Sequence, residues 1–269
     1  MASFSVVSNI ASANAQSNLQ ATNVGLNKAL TRLSSGFRIN NAGDDAAGLA
    51  VANTYRNNQA ILSQGIRNAN DGMSKLQIKD GALNNISTLL DRLATLATQA
   101  SSSSNGVDVT KLSDEYGQIV TEITREATVG EVATASSAFS VFVSSETSAS
   151  DGAVTGTINS ASAAGLALTA TSFTNAVGAQ AALTQVKAAI DTLGDIQNVV
   201  GTLQNKLTFA ISLAQSQQVN AKAAESRIRD ANVAEESANM TRFNILSQSG
   251  IAALAQANQA SSSVLSLLR

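Results

Sequence analysis

The chain has 269 residues, a formal net charge of -2, and no His, Cys, Pro or Trp. Without His or Cys the usual ligands of zinc, copper and haem iron are absent, and acid–base chemistry would be confined to carboxylates, Lys and Tyr. The small net charge predicts no strong attraction to nucleic acid. Because no proline interrupts the chain, long unbroken helices are expected. From the missing His and Cys we expect neither enzymatic activity nor a metal or cofactor.

The first predicted helix, residues 5–34, begins in a region without charge, since residues 1–27 contain no Asp, Glu, Lys or Arg. Four leucines follow the spacing of a coiled coil, with Asn23 as a polar interruption: Leu19, Leu26, Leu30 and Leu33. A solvated helix normally carries paired charges on its wet face, so a neutral face rich in Asn and Gln suits a packed interface that tolerates water but not uncompensated charge. A solvated, weakly helical tail is the alternative. We expect neither a cleavable signal peptide nor membrane insertion here, because the segment lacks a basic start and a continuous apolar run.

A polar joint follows this helix, and a second one precedes the last helix. Gly36 suits a left-handed helix end, and Asp44 or Asp45 suits the cap of the next helix. Capping explains the Asp pair better than catalysis does, since neither a nucleophile nor a metal ligand is near in sequence. The residues assigned to the two joints are Gly36, Arg38, Asn40, Gly43, Asp44, Asp45, Arg227 and Asp230.

Three further helices are predicted between the joints. Residues 45–99 carry one heptad repeat of Leu62, Ala69, Leu76, Leu83, Leu90 and Ala97, and a second of Ile66, Met73 and Ala94 that Asp80 and Ser87 interrupt. Residues 110–127 place Leu112, Tyr116, Ile119 and Ile123 on one face. The helix that begins near residue 181 repeats Leu183, Val186, Ile190, Leu193, Val200, Leu207, Ile211 and Ala214, interrupted by Gln197 and Gln204.

The region between these helices, residues 129–180, reads as a β-hairpin with loose flanks. Its strand-like runs are 139–143 and 154–158, with a turn signal at Asp151-Gly152. The last helix ends in an uncharged stretch, residues 243–268, which contains Ile251, Leu254, Leu265 and Leu268. The predicted fold class is therefore mainly α, with long antiparallel helices in a coiled-coil bundle, paired terminal helices and a small β-hairpin region.

Two long stretches resemble bacterial flagellin. The N-terminal stretch contains LTRLSSGFRINNAGDDAAGLAVA over 30–52, RNANDGMS over 67–74 and GALNNI over 81–86. The C-terminal stretch contains SRIRDANVAEESANMTR over 226–242, ILSQSG over 245–250, LAQANQ over 254–259 and the final VLSLLR.

The resemblance implies a structural subunit that polymerises with itself into the extracellular flagellar filament used for swimming. The self-assembly interface would comprise Leu19, Leu26, Leu30, Leu33, Ile251, Leu254, Leu265 and Leu268. It also implies export through the flagellar type III apparatus with an export chaperone, and contact with hook-junction and cap proteins. A hook–filament junction protein or another filament-associated adaptor is the alternative.

The resemblance also implies five segments in two layers. The inner tube would take residues 1–43 and 227–269. The outer layer would take helical arms at 44–128 and 181–226, with the hairpin and Ser/Thr-rich loops at 129–180 between them.

Some flagellins are recognised by Toll-like receptor 5, and the matching positions here are Arg92, Leu96, Gln99 and Glu122. Positions 94 and 95 are Ala and Thr, where recognised flagellins carry Arg and Glu. The alternative is that these residues only make filament contacts.

Overall fold

The structure, a computed structural model, describes residues 8–102, 108–134, 137–144, 152–169 and 172–267, with side chains described as far as residue 259. Within these ranges the elements are α1 (Ile10–Ser35), α2 (Ala46–Ser101), α3 (Val109–Val129), β1 (Ser137–Phe142), β2 (Ala153–Ile158), α4 (Ala176–Arg229) and α5 (Val233–Leu267). The mainly α architecture with one hairpin is confirmed. The fourth helix begins five residues before the predicted start at 181.

The contacts divide the chain into two units. Unit 1 comprises Met1–Asn57 and Ala221–Arg269, and unit 2 comprises Asn58–Asn220. The predicted boundaries near 43 and 226 follow the polar joints, whereas the two units divide inside the helices α2 and α4. This difference arises because the first turns of α2 and the last turns of α4 pack with the joints rather than with the arms.

Unit 2 is built on the heptad repeats of α2 and α4. The first predicted repeat of α2 is buried throughout, and it is confirmed: Leu62, Ala69, Leu76, Leu83, Leu90 and Ala97. The second predicted repeat is wrong by one residue. Its buried positions are Gly65, Gly72, Lys79, Ile86, Leu93 and Ala100, whereas Ile66, Met73, Asp80, Ser87 and Ala94 flank them.

The same offset occurs in α4. The predicted positions Val186, Leu193, Val200, Leu207 and Ala214 are buried, which confirms that repeat. The second repeat runs through Ala182, Ala189, Ile196 and Leu203, one residue before the predicted Leu183, Ile190, Gln197 and Gln204.

Close packing of the hairpin explains the two glycines, Gly65 and Gly72, in the second repeat of α2. A Cβ at Gly65 would overlap the carbonyl oxygen of Val143, and one at Gly72 would lie 2.7 Å from Val141 Cγ2. The hairpin therefore packs directly on the α2 backbone, at positions where only glycine leaves room. A search for large apolar side chains passes over such positions.

The hairpin itself is antiparallel. Its pairing runs from Ser137 opposite Ile158 to Phe142 opposite Ala153. The predicted strands match β1 and β2 within two residues at each end, and Asp151 of the predicted turn lies outside the described residues. On the far strand, a Cβ at Gly156 would lie 2.6 Å from Leu203 Cδ2, so β2 packs on α4.

Helix α3 and the loop before α4 close the core of unit 2. Tyr116 meets Phe173 edge to face, with ring centroids 5.3 Å apart. The Phe173 N–H donates to Ser113 Oγ at 2.9 Å, which fixes the loop on the helix. At the end of α3 the buried Lys79 ammonium donates to the carbonyl oxygen of Glu131, and burial lowers the pKa of Lys79.

Candidate functional site at the terminal helix pair

Helices α1 and α5 form an antiparallel pair within unit 1. In four contacts the residue number rises along α1 as it falls along α5. These contacts are Asn9 with Ala257, Leu19 with Gly250, Gly25 with Phe243, and Arg32 with Glu236. The two residue numbers in each contact add up to nearly the same value, so the pair keeps one register over the described length of α1.

Glycine provides space for a large side chain on each helix of the pair. A Cβ at Gly25 would lie 2.6 Å from Cζ of Phe243, and a Cβ at Gly250 would lie 3.1 Å from Cδ1 of Leu19. Gly25, near the middle of α1, therefore accommodates Phe243 of α5. Gly250 of α5 accommodates Leu19, which lies nearer the start of α1. These two contacts fix the register, because a shift of one residue would place a side chain against another Cβ.

The coiled-coil prediction for α1 needs one correction. Leu19, Leu26 and Leu33 are half-buried against α5, but Leu30 is 45% exposed and Asn23 is exposed. The second repeat runs instead through Thr22 and the buried Ala29. As at Gly65 and Gly72 in α2, the buried position is held by a small residue, Ala29, and its larger neighbour Leu30 is exposed.

The outer faces of this pair retain large aliphatic side chains in contact with solvent. Leu30 on α1 and Ile251 on α5 are 45% and 58% exposed, and Leu254 is half-buried. The other exposed members of this set are Ile10, Val24, Val233, Ile245 and Leu246. Leu265 belongs to α5 but its side chain is outside the described part of the chain, as is the whole of Leu268.

One ion pair joins the helix ends beside the joints. Arg32 Nη1 donates to Glu236 Oε1 at 2.8 Å, and Glu236 is buried. Arg32 lies in the last turn of α1 and Glu236 in the first turn of α5, so each charge also complements the dipole of its own helix. Arg32 Nε is buried and has no hydrogen-bond partner among the described residues.

The two joints pair with each other as a short antiparallel bridge. Gly36 ends α1 in the left-handed conformation, with φ 74°, and its carbonyl accepts from Ala231 N at 2.9 Å. The N–H of Arg38 donates to the carbonyl of Arg229 at 2.6 Å, and Phe37 bridges Asp230. The segments 36–38 and 229–231 therefore lie side by side in unit 1, held by main-chain hydrogen bonds.

Side chains reinforce this bridge. The Arg229 guanidinium lies 4.2 Å from the centre of the Phe37 ring, a cation–π contact. Arg38 Nη2 donates to the Ile228 carbonyl at 2.9 Å, and the Ser226 hydroxyl donates to the Asp230 carboxylate at 2.5 Å. The second joint is thus tied to the first through both its side chains and its backbone.

The two aspartates of the first joint have separate tasks. Asp44 Oδ2 accepts from the N–H groups of Asn40 and Asn41, each at 3.2 Å, while Oδ1 pairs with Lys28 at 2.9 Å. The Lys28 hydrogen bond is the largest cause that lowers the pKa of Asp44 to about 2, and the two N–H groups add to it. Asp45 Oδ1 accepts from Gly48 N at 2.8 Å and so caps α2.

Six of the eight predicted joint residues take part in contacts at the joints, and two do not. Gly36, Arg38, Asn40, Asp44, Asp45 and Asp230 all take part in the bridge or its caps. Gly43 is different, because a Cβ there would meet nothing within 4 Å, and Arg227 is exposed in the last turn of α4. The sequence reading missed Lys28, Arg32, Phe37, Ser226, Arg229 and Glu236. The signal for two of them was present, since Lys28 and Arg32 are the first charges after the neutral segment.

The predicted receptor residues lie in unit 2. Arg92 donates through Nε to Glu115 at 3.0 Å, and Glu122 pairs with Arg125, which lowers the pKa of Glu122. Gln99 is exposed. Leu96 is 1% exposed, because it belongs to the core face of α2, so its assignment as a receptor contact is wrong.

No group of three or more His, Cys, Asp or Glu residues in the described ranges is arranged to hold a metal ion. Among the same residues, no helix is both long and apolar enough to cross a membrane.

Comparison with known proteins identifies relatives along most of the chain. Residues 6–131 match the family model for the bacterial flagellin N-terminal helical region, and residues 183–268 match the C-terminal one. A flagellin of Halalkalibacterium halodurans is 38% identical, covering 92% of this chain and 95% of that protein. A flagellin of Bacillus subtilis is 32% identical over 97% of this chain and 98% of its own length. A crystal structure of Bacillus cereus flagellin, 28% identical, covers 59% of this chain and 94% of that one with a TM-score of 0.47.

Proposed function

The chain belongs to the bacterial flagellin family, and we propose that it builds the flagellar filament through the outer faces of its terminal helices, α1 and α5. It is a structural subunit that polymerises with itself, and the filament lies outside the cell. Flagellins are structural proteins rather than known enzymes. The proposal therefore concerns which surfaces of this chain join one subunit to the next.

The observation that carries the proposal is the exposed aliphatic set on a neutral helix pair. Val24 and Ile251 are 64% and 58% exposed in the single chain, although α1 before Lys28 and α5 after Arg242 carry no charge. Burial of such a side chain contributes about 1.5–3 kcal/mol. With no charge to desolvate, packing against other subunits gains this energy without the cost of burying ions.

The half-buried leucines have a second part in the proposal. Leu19, Leu26, Leu33 and Leu254 are half-buried, and Leu19 packs against Gly250, so they would hold the pair together and keep the outer faces at a fixed spacing. Leu265 and Leu268 would extend this surface beyond the described side chains. Because the pair alone buries little more than one stripe of each helix, we expect its folding to be completed by association.

The paired joints would carry the chain between an inner tube, residues 1–43 and 227–269, and an outer layer, residues 44–226. The two main-chain hydrogen bonds between Gly36, Arg38, Arg229 and Ala231 support this role, because they couple the two crossings. A change in one joint would then move both chains together, and the filament shape should respond more than the stability of the monomer.

Export by the flagellar type III route is part of the proposal. The chain carries no Cys, so no thiol can cross-link it while it is unfolded in transit. The export apparatus and an export chaperone, and then the hook-junction and cap proteins, would be its partners before assembly. Deleting the flagellar export gate should leave the protein inside the cell, and its appearance in the medium of that strain would contradict the route.

Recognition by Toll-like receptor 5 is proposed only through Arg92 and Gln99, which are exposed, and Glu122, which is half-buried. Arg92 and Glu122 are each engaged in an ion pair within the chain, but surface pairs of this kind cost about 1 kcal/mol or less to open. A receptor reporter cell line treated with purified monomer tests the idea. No response at saturating protein would remove it.

The main proposal is tested by removing or charging the terminal surface. Deletion of 243–269 should leave a soluble helical monomer that does not polymerise, and filaments from that truncation would contradict the proposal. A single substitution is sharper. Ile251→Lys should leave the circular dichroism spectrum of the monomer unchanged but abolish seeded polymerisation, whereas the control Asn198→Lys, on the exposed face of α4, should still form tubes of uniform width in electron micrographs.

A further inference from the structure

A groove in unit 2 runs along strand β1 and has a volume of about 430 Å³. It is lined by the whole of β1, by a row of residues on α2 and by the turn that follows α3. The residues outside β1 are Asn68, Asp71, Gly72, Lys75, Lys79 and Glu131, and we call this space the β1 groove. A water molecule takes up about 30 Å³ in the liquid, so the β1 groove has room for a small organic anion.

Lys79 is the one buried lysine of this chain, since all seven lysines lie in the described ranges and the other six are exposed. Its side chain is 8% exposed and lines the β1 groove. The Lys79 nitrogen donates to the main-chain carbonyl of Glu131, and the Glu131 carboxylate lies 4.0 Å from it. A buried ammonium has three protons to donate, whereas a neutral amine can keep the bond to the carbonyl and retain a lone pair for attack.

The surroundings of Lys79 favour that neutral form. Burial lowers the pKa of Lys79; the Glu131 carboxylate opposes this shift, and the Lys75 ammonium adds to it. Lys75 lies one helical turn before Lys79, is exposed, and lines the same groove, whose remaining charged group is Asp71. A desolvated lysine beside a second cation is an arrangement that activates lysine nucleophiles in enzymes.

Glu131 has an unusual backbone conformation at this position. Its φ is 54°, which a residue other than glycine seldom adopts. In this conformation both the carbonyl oxygen and the carboxylate of one residue lie beside the Lys79 nitrogen. Strained residues of this kind concentrate at functional sites. The Glu131 side chain is 75% exposed, so its carboxylate can pass a proton on to water.

We propose that Lys79 is an acylation site for acyl phosphates, which enter the β1 groove and place their phosphate against the Lys75 ammonium. An acyl phosphate has the two properties that the groove selects, a carbonyl carbon open to attack by an amine and an anionic group that a lysine binds as a point charge. The inference does not depend on filament assembly, since every residue that it uses lies in unit 2.

The acyl transfer needs no further reagent. The neutral Lys79 nitrogen attacks the acyl carbon and forms a C–N bond, and the C–O bond to phosphate then breaks, so that phosphate leaves with the electron pair. The proton that the nitrogen loses passes to the Glu131 carboxylate, directly or through one water, and from there to solvent. The product is an amide that has lost the positive charge of Lys79 but keeps one N–H for the Glu131 carbonyl.

Acetyl phosphate is the probe that tests this site. The full chain is treated with acetyl phosphate, unfolded, and then acetylated completely with an isotopically heavy reagent, so that mass spectrometry gives the light fraction at each of the seven lysines. Lys79 should react at least about threefold faster than the mean of the six exposed lysines, because more of its amine is neutral. In urea the seven rates should converge, because the preference belongs to the folded chain.

Lys75→Gln tests the phosphate contact. It should slow the acetylation of Lys79 by acetyl phosphate about threefold or more, but change its reaction with N-acetoxysuccinimide, an acetylating reagent without phosphate, by less than about twofold. The ratio of the two rates isolates the contact with phosphate. The matched control Lys187→Gln removes an exposed lysine of α4 and should leave both rates unchanged. Inorganic phosphate should compete with acetyl phosphate at Lys79 in the unaltered chain.

Each outcome decides one part of the proposal. If Lys79 reacts no faster than the exposed lysines in the folded chain, the acylation site is overturned. Fast acetylation that neither Lys75→Gln nor inorganic phosphate slows overturns the binding of phosphate in the β1 groove. If Lys75→Gln lowers the helicity measured by circular dichroism, competition by inorganic phosphate in the unaltered chain decides instead. None of these results bears on polymerisation, so the proposed function is judged separately.

Discussion

The packing of Phe243 over Gly25 predicts opposite effects for the same substitution at two helical glycines. Gly25→Ala places a Cβ 2.6 Å from Cζ of Phe243, well inside the contact distance of two carbons. Gly81→Ala, inside α2, places a Cβ where nothing lies within 4 Å. Both changes gain about 1 kcal/mol of helix propensity, so they differ only in the space around the new methyl group.

The magnitude follows from these distances. Overpacking at Gly25 should cost about 1–3 kcal/mol, which cancels or exceeds the gain in propensity. Gly81→Ala should keep the whole gain of about 1 kcal/mol. We expect the two variants to differ by about 1–3 kcal/mol per subunit, with Gly25→Ala the less stable of the two.

A double-mutant cycle isolates the contact. Phe243→Leu shortens the side chain that meets the new methyl group, so Gly25→Ala should be better tolerated in that background, with a coupling of about 1 kcal/mol or more. The assay is heat-induced disassembly of filaments, followed by circular dichroism at the helix band and by sedimentation. If Gly25→Ala raised the disassembly temperature as much as Gly81→Ala does, the register argument for the terminal pair would be refuted.

Three further predictions concern the joints and the core of unit 2. Gly36→Ala should cost about 1 kcal/mol of stability and alter the filament waveform, because φ at this position is 74°. The control Gly43→Ala should fold normally, since a Cβ there meets nothing within 4 Å. If filaments of the two variants had the same waveform, the first joint would not control filament shape. The pKa of Asp44 is lowered from 3.8 to about 2, so the ionised carboxylate contributes about 1–2 kcal/mol to the free energy of unfolding after allowance for solvent screening. This contribution is present above pH 4 and is lost as the pH falls from about 4 to 2. Lys28→Met should reduce that acid-dependent loss, measured as the pH dependence of unfolding, and an unchanged profile would contradict the assignment. Tyr116→Phe should leave stability equal or up to about 1 kcal/mol higher in urea unfolding, because the buried hydroxyl has no partner among the described residues and burial raises its pKa to about 12; a clear loss would reveal a hidden partner.

The sequence predicted one heptad repeat of each arm correctly and placed the other one residue too late. In α2, α4 and α1 the correct repeat was marked by leucines or other large residues such as Leu76, Leu193 and Leu26. The misplaced repeat includes small residues such as Gly72, Ala189 and Ala29, together with large ones such as Ile86 and Ile196. Side-chain size explains the offset only where the buried residue is small, as at Gly65 and Gly72, because the larger neighbours Ile66 and Met73 are only partly buried.

At the joints, too, the sequence predicted local features but not contacts between residues far apart in the chain. Gly36 and the Asp44–Asp45 pair were recognised from capping rules that depend only on local sequence. Their distant partners were not, because Arg229 and Ala231 are far along the chain and only folding brings them to Gly36 and Arg38. Leu96 failed as a receptor contact for a related reason, since it belongs to a core cluster whose other members, such as Tyr116 and Leu193, are remote in sequence.

By itself the sequence determined the helical content, the single hairpin, the neutral terminal segments and the membership of the flagellin family, because heptad spacing, missing proline and long local motifs are properties of adjacent residues. Only the tertiary structure decided which side chains face outward. That outcome depends on how closely two backbones approach, at Gly25 beneath Phe243 and Gly72 beneath the hairpin, and this distance is set by residues remote in sequence. The same dependence leaves Leu30 and Ile251 exposed on the outer faces of the terminal helices.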